Sequence, residues 1–222
     1  MEKIRTILLN RSVADSIEEE AEELRRELKK KGTFLLNVMS SPGSGKTTTL
    51  IRLVNILKNK YKTAIMEADI DSDVDAITVA KETGVKSIQL HTGGMCHLDG
   101  SMTRQGLDAL EGDYDFVVLE NIGNLVCPAE FDTGASLNMV ILSVPEGSDK
   151  PLKYPLMFEK CDLVLINKID TIKYFDFDYN IVRDFIYSRN KNAAIFKISA
   201  KNGDGINEVA EHLSSLIERW RS

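Results

Sequence analysis

Two hydrophobic periodicities alternate along the chain. Largely apolar runs occupy 34–39, 63–68, 116–119, 139–144, 163–166 and 194–198. Runs of this length, rich in Val, Ile and Leu, suit parallel strands buried on both faces. Between and after them come stripes at helical spacing. Leu50, Leu53, Val54 and Leu57 form one, and Val209, Leu213, Leu216 and Trp220 form another. Residues 76–90 read as a helix and then a short strand, with Gly84 between them. The alternation predicts an α/β three-layer sandwich with a mostly parallel sheet. Residues 1–31 differ: they are highly charged, with a narrow apolar stripe of Ile17, Ala21, Leu24 and Leu28. Glu22 with Arg26 and Glu27 with Lys31 are i,i+4 pairs in the favourable order. A helix leaning on its own domain or on a partner chain is expected there, ended by Gly32. The predicted division is an amphipathic appendage over 1–31 and a main domain over 32–222.

The polar residues gather where strands end. Ser40-Ser41-Pro42-Gly43-Ser44-Gly45-Lys46-Thr47 lies between the first run and the first helical stripe. Strand, glycine-rich turn and helix is the setting of a phosphate-binding loop. Glycines let backbone N–H groups converge on an anion, and the helix offers it a positive end. Lys46 is placed to reach β- and γ-phosphates, and Thr47 to hold Mg²⁺. Ser40 stands where the usual spacing begins with glycine.

The second strand ends in Asp69-Ile70-Asp71-Ser72-Asp73-Val74-Asp75. A calcium loop would need Gly at Val74 and Glu at Ala80, so that reading fails. Asp69, at the carboxyl edge of the strand, is expected near Mg²⁺ or the attacking water; Asp71 and Asp73 read equally well as a solvated loop. Glu120 ends the run 116–119, with Gly123 three residues later, the place where phosphate-loop GTPases sense a γ-phosphate. Asn167-Lys168-Ile169-Asp170 stands at the tip of 163–166. A carboxylate there accepts N1–H and the exocyclic amine of guanine, a pattern that adenine lacks. Ser199-Ala200-Lys201 follows the last run as a second base-contacting segment.

Adjacent Cys96 and His97 are the ligand types of Zn²⁺ or Ni²⁺, although a lone pair of this kind is also ordinary packing. Cys127, seven residues past Glu120, strengthens the metal reading. His212 is expected at the surface, and Cys161 in packing.

Composition narrows the class. The chain has 222 residues with 28 basic and 34 acidic side chains, a net charge of −6. That disfavours a nucleic-acid coat or a polybasic membrane anchor. No apolar run has the length of a membrane span and no signal peptide is evident. Three cysteines are not a disulfide framework, so a cytoplasmic setting is expected.

Together these segments resemble the hydrogenase nickel-incorporation GTPase family HypB. The resemblance rests on SSPGSGKTTTL at 40–50, EADIDSDVDA at 67–76, TGGMCHLDG at 92–100 and ENIGNLVCPAEFD at 120–132. SVPEGSDKPLKYP at 143–155, NKID at 167–170 and SAK at 199–201 complete it. It implies a slow, Mg²⁺-dependent GTPase of the nucleotide-dependent dimer class, supplying Ni²⁺ to the [NiFe]-hydrogenase large subunit together with the metallochaperone HypA. Neither nucleic acid nor membrane is an expected partner. Gly43, Ser44, Gly45, Lys46, Thr47 and Thr48 would cradle GTP or GDP. Lys46, Asp69 and Glu120 would act at the phosphate, with Thr47, Asp69 and Glu120 around Mg²⁺ and Asp75 a weaker candidate. Asn167, Lys168, Asp170, Ser199, Ala200 and Lys201 would surround guanine. Cys96, His97 and Cys127 would bind Ni²⁺ or Zn²⁺ at the homodimer interface, and Lys153 would face the partner subunit.

Two departures stand out. The first 31 residues contain neither Cys nor His, so tight nickel binding or storage there is not expected. Asp132-Thr133-Gly134-Ala135 replaces the more usual Asp-Leu-Gly-Glu. The alternatives are a urease-type accessory GTPase, a GTP-dependent switch with a structural zinc, and a nucleoside kinase.

Overall fold

The computed structural model describes residues 5–8, 17–69 and 74–222, and of Leu8, Ile17, Val74 and Asp75 the backbone alone. Asp71, Asp73 and the side chains of Ile17 and Asp75 therefore lie outside the described residues. In chain order the elements are β1 (Arg5–Leu8), α1 (Ile17–Lys31), β2 (Phe34–Ser40), α2 (Lys46–Leu57), β3 (Thr63–Asp69), α3 (Val74–Thr83), β4 (Lys86–His91) and α4 (Gly100–Leu110). Then follow β5 (Phe116–Glu120), α5 (Cys127–Glu130), β6 (Leu137–Ser143), α6 (Lys150–Lys153), α7 (Pro155–Lys160), β7 (Leu163–Asn167), α8 (Tyr179–Arg189), β8 (Ala194–Lys197) and α9 (Ile206–Arg221).

The eight strands form one sheet in the order β1-β4-β3-β5-β2-β6-β7-β8, and every pairing is parallel. Alternation along each strand sorts side chains to two faces. Leu36, Val38, Ile65, Val118 and Ile141 pack with α2 and α9. Leu35, Met66, Val117 and Leu119 pack on the opposite face with residues of α1 and α4. Met39, Val140, Leu142, Val164 and Ile166 pack with α7 and α8. Strand order reverses beside β2, with β5 and β3 to one side and β6 to the other. Ligands of open parallel sheets bind outside the carboxyl ends at such a point.

Helix α1 leans on its own domain. Ala21, Leu24 and Leu28 are buried, and Leu24 and Leu28 join the cluster of Leu35, Val117 and Leu119. Each buried Leu contributes about 1.5–3 kcal/mol, against about 0.3–0.5 kcal/mol for an exposed i,i+4 ion pair. The apolar stripe, not the charges, therefore fixes the helix. Gly32 ends it at φ +69°, and Thr33 N–H reaches back to the Leu28 carbonyl at 3.0 Å.

Two elements depart from the sequence pattern. β1 is an edge strand of four residues, too short to show a period. α4 has only Met102 and Leu110 as large buried apolar residues, alongside Gly100, Thr103 and Gly106; Asp99 caps it by accepting from Met102 N–H at 2.8 Å. His212, expected at the surface, is half-buried with its ring 5.3 Å from that of Phe196. Cys161 is buried, as a packing residue should be. Among the described residues no helix is long and apolar enough to cross a membrane.

Candidate nucleotide and metal site

A cavity of about 780 Å³ opens at the carboxyl ends of β2, β3 and β5. Gly43, Lys46, Thr47, Thr48, Asp69 and Glu120 line it, with Glu67 and Lys168. Its volume falls in the range of small-molecule sites. The phosphate-loop residues are thus brought together at the N-terminus of α2, where backbone N–H groups are not used by the helix. Gly45 is obligatory. Its φ is +93°, and an added Cβ would lie 2.4 Å from Asn167 Nδ2.

That contact shows how the base-side residues are organised. Asn167 Nδ2 donates to the Ser44 carbonyl at 2.9 Å. Its Oδ1 accepts from Lys168 N–H at 2.7 Å and from Ala200 N–H at 3.0 Å. Asn167 therefore braces the phosphate loop, the β7 tip and the segment after β8 against one another. Lys168 holds the left-handed conformation, φ 62°, and its ammonium donates to the Gly43 carbonyl at 2.6 Å. Asp170 is held by Ser199, whose hydroxyl donates to Oδ1 at 2.7 Å. From α2, Arg52 donates to the carbonyls of Ala200 and Lys201 at 2.8 and 2.7 Å.

On the phosphate side, Lys46 forms an ion pair with Glu120 at 3.0 Å, both largely buried. Glu67 lies beside Glu120 in register across β3 and β5. A second buried carboxylate in the cavity was not singled out from the sequence. The signal was there: a lone acid inside an apolar strand. Lys46 and Lys168 supply the positive charge of the lining, which contains no arginine among the described residues.

The chain leaves this cavity toward the cysteines. Gly123 abuts the phosphate loop, with room for a Cβ only 3.4 Å from Pro42. Asn124 then ties two loops together. Its Oδ1 accepts from Val126 and Cys127 N–H at 3.0 and 2.9 Å, and its Nδ2 donates to the Cys96 carbonyl at 2.8 Å. The Sγ atoms of Cys96 and Cys127 meet at 2.8 Å. The hydrogen bond with Cys96, and then partial burial, push the Cys127 thiol above its ordinary pKa.

His97 is not brought together with them in this arrangement. Its ring stacks on Phe131, centroids 3.6 Å apart and planes 9° from parallel. Among the described residues no group of three or more His, Cys, Asp or Glu is arranged to hold a metal. Two thiols from one chain are soft donors suited to Zn²⁺ or Ni²⁺ and leave coordination positions for water or a second chain. Lys153 projects from α6 in an exposed ion pair with Asp149 at 2.5 Å.

The CobW/HypB/UreG nucleotide-binding domain model matches residues 34–197. A hydrogenase maturation factor HypB of Azotobacter chroococcum is 39% identical over 218 residues, covering 98% of this chain and 70% of the relative. A hydrogenase/urease maturation factor HypB of Helicobacter pylori is 40% identical over 198 residues, covering 87% of this chain and 81% of its own. The crystal structure of Helicobacter pylori HypB in complex with nickel superposes with a TM-score of 0.85 at 38% identity, covering 94% of this chain and 98% of the other.

Proposed function

The chain belongs to the CobW/HypB/UreG family, among its HypB hydrogenase maturation factors, and from that premise we propose that it is a GTP-hydrolysing nickel metallochaperone. The observation that carries this reading is the path from Glu120 in the nucleotide cavity, through Gly123 and Asn124, to the paired thiols of Cys96 and Cys127. One segment touches both the phosphate site and the soft-donor pair.

In this reading Gly43, Ser44, Gly45, Lys46, Thr47 and Thr48 cradle the phosphates. Thr47, Asp69 and Glu120 hold Mg²⁺ and the attacking water. Asp170 reads guanine, positioned by Ser199, while Asn167 joins the base and phosphate halves. Bound Mg²⁺ would supply charge neutralisation between β- and γ-phosphates. With no arginine among the described residues of the lining, unaided turnover is slow, on the order of 10⁻³ s⁻¹.

Ni²⁺ is the cargo, and Zn²⁺ would fit the same thiols. Two thiols fall short of a closed structural site, which favours a carrier site over a structural zinc. A second copy of the chain, with His97 turned from Phe131, completes the coordination. Exposed Val126 and Leu152 and the Lys153 loop are the surface that the second copy covers. Cargo passes onward with HypA to the hydrogenase large subunit.

The test is the intact mass of the protein titrated with Ni²⁺, with and without a non-hydrolysable GTP analogue. A dimer that retains metal only with the analogue is expected. Metal held equally by a monomer without nucleotide would overturn the interface reading.

A further inference from the structure

The two cysteine loops are not held by each other alone. Both press on one side of α1. At Gly100, four residues after Cys96, an added Cβ would lie 2.7 Å from the Ala21 backbone nitrogen and Cα. At Gly134, seven residues after Cys127, an added Cβ would lie 2.9 Å from the Ala21 carbonyl oxygen and from Leu24 Cδ2. A single alanine is wedged between the two, and glycine on each side permits the approach.

Side chains fasten the same contacts. Arg25 grips Asp132 with Nη2 at 2.6 and 2.7 Å and donates from Nε to the Ala135 carbonyl at 2.9 Å. On the other side, Arg104 of α4 pairs with Glu27 at 2.6 Å. Leu98, two residues after Cys96, is fully buried in the cluster that contains Leu24, Leu28 and Ala135. Each loop is thus anchored to α1 by a glycine contact, an ion pair and buried apolar surface.

We propose that α1, through Ala21 and Arg25, is a positioning element that sets the separation of the Cys96 and Cys127 loops. Its consequence for metal affinity rests on the reading of those thiols as ligands. Groups that orient ligands from behind typically govern affinity by 10–100-fold when removed, because the donors must otherwise be ordered by the metal itself. Arg25 cannot be replaced by lysine without loss, since a single ammonium cannot reproduce the fork that places Nη2 on the Asp132 carboxylate and Nε on the Ala135 carbonyl at once.

The experiment uses the full chain with Arg25→Ala, Arg25→Lys and Gly134→Ala. Lys60→Ala, which removes a distant ion pair with Glu218, is the control. Dibromobimane, a reagent that bridges two thiols, reports loop separation with no metal present; buried Cys161 does not compete. Ni²⁺ and Zn²⁺ titrations report affinity, and GDP titration reports the nucleotide site. The expected result is bridging several-fold slower in Arg25→Ala and Gly134→Ala. Metal affinity falls about tenfold, with GDP affinity unchanged, Arg25→Lys intermediate and the control like wild type. Arg25→Ala removes only a half-exposed pair, so it keeps the proposal decidable if Gly134→Ala fails to fold. Bridging in Arg25→Ala at the wild-type rate overturns the proposal. Wild type that binds neither metal would instead reject the ligand reading, with the bridging rates still deciding the role of α1.

Discussion

Lys46 and Glu120 form an ion pair at 3.0 Å across the floor of the cavity, each more than four-fifths buried. A phosphate entering the loop must take Lys46 from Glu120. In the proposed function this would free Glu120 toward Mg²⁺ or water, and the pair would couple nucleotide arrival to the start of the 120–127 segment.

Glu120→Gln should therefore act oppositely on two measurements. Removing one partner of a buried pair leaves the other charge less compensated, here with Glu67 still in the same cavity, at up to about 3 kcal/mol. The nucleotide-free protein should melt earlier. Without Mg²⁺, GDP should bind about tenfold more tightly, since it no longer displaces a carboxylate. Hydrolysis with Mg²⁺ should fall. Calorimetry and fluorescence titration check these outcomes, and unchanged GDP affinity would show that the pair does not gate entry.

Arg52 offers a test of base recognition away from the base. Its two hydrogen bonds fix the carbonyls of Ala200 and Lys201, and so the backbone of the base-contacting segment. Charge-assisted bonds of this kind contribute about 1.5–3 kcal/mol each, less where solvent reaches them. Arg52→Ala should weaken GTP binding by about tenfold and leave the weak binding of ATP as it was. Competition between the two nucleotides reads the ratio. Equal weakening of both would mean that Arg52 supports the phosphate loop instead.

Much of this arrangement was legible in the sequence because its signals are local. A buried parallel strand is a run of apolar residues, and its tip is the next polar residue, so Asp69, Glu120 and Asn167 could be placed on one edge without coordinates. Contacts between distant segments carry no such pattern. Nothing in the spacing of Asn124 says that its side chain holds both cysteine loops, and nothing around Ala21 says that two glycines close on it. β1 was hidden by its length, and α4 by small residues chosen for close approach. Adjacent Cys96 and His97 read as a ligand pair; nothing in their spacing says that the His97 ring stacks on Phe131, thirty-four residues away.

The cysteines should separate by reactivity. Burial pushes the Cys161 thiol up to about 12, so it stays protonated and unreactive across the range from pH 7 to 10. Cys96 and Cys127 are reachable from solvent. Native protein treated with iodoacetamide should gain two labels by mass, and a third only in denaturant. Raising the pH within that range should speed the first two, as the thiolate of the raised Cys127 becomes populated, without adding the third. A third label in native protein at pH 8 would contradict the packing role of Cys161.

Asn124 is where nucleotide and metal should communicate. Gly123 lies beside Pro42 of the phosphate loop, where an added Cβ would be 3.4 Å from the proline ring, and the next residue holds Cys127 by its N–H and Cys96 by its carbonyl. A γ-phosphate that repositions Glu120 and Gly123 must move Asn124, and with it the spacing of the thiols. If metal affinity differs between the GTP-analogue and GDP states by some factor, metal must change the preference between those nucleotides by the same factor. Asn124→Ala keeps both thiols and the fold of the cavity but cuts the three hydrogen bonds. It should lower Ni²⁺ affinity about tenfold and, more tellingly, bring the affinities in the two nucleotide states together. The check is a paired titration in both states for wild type and Asn124→Ala. A variant that loses affinity equally in both states, with the difference between them intact, would make Asn124 a support for the thiols and place the coupling elsewhere.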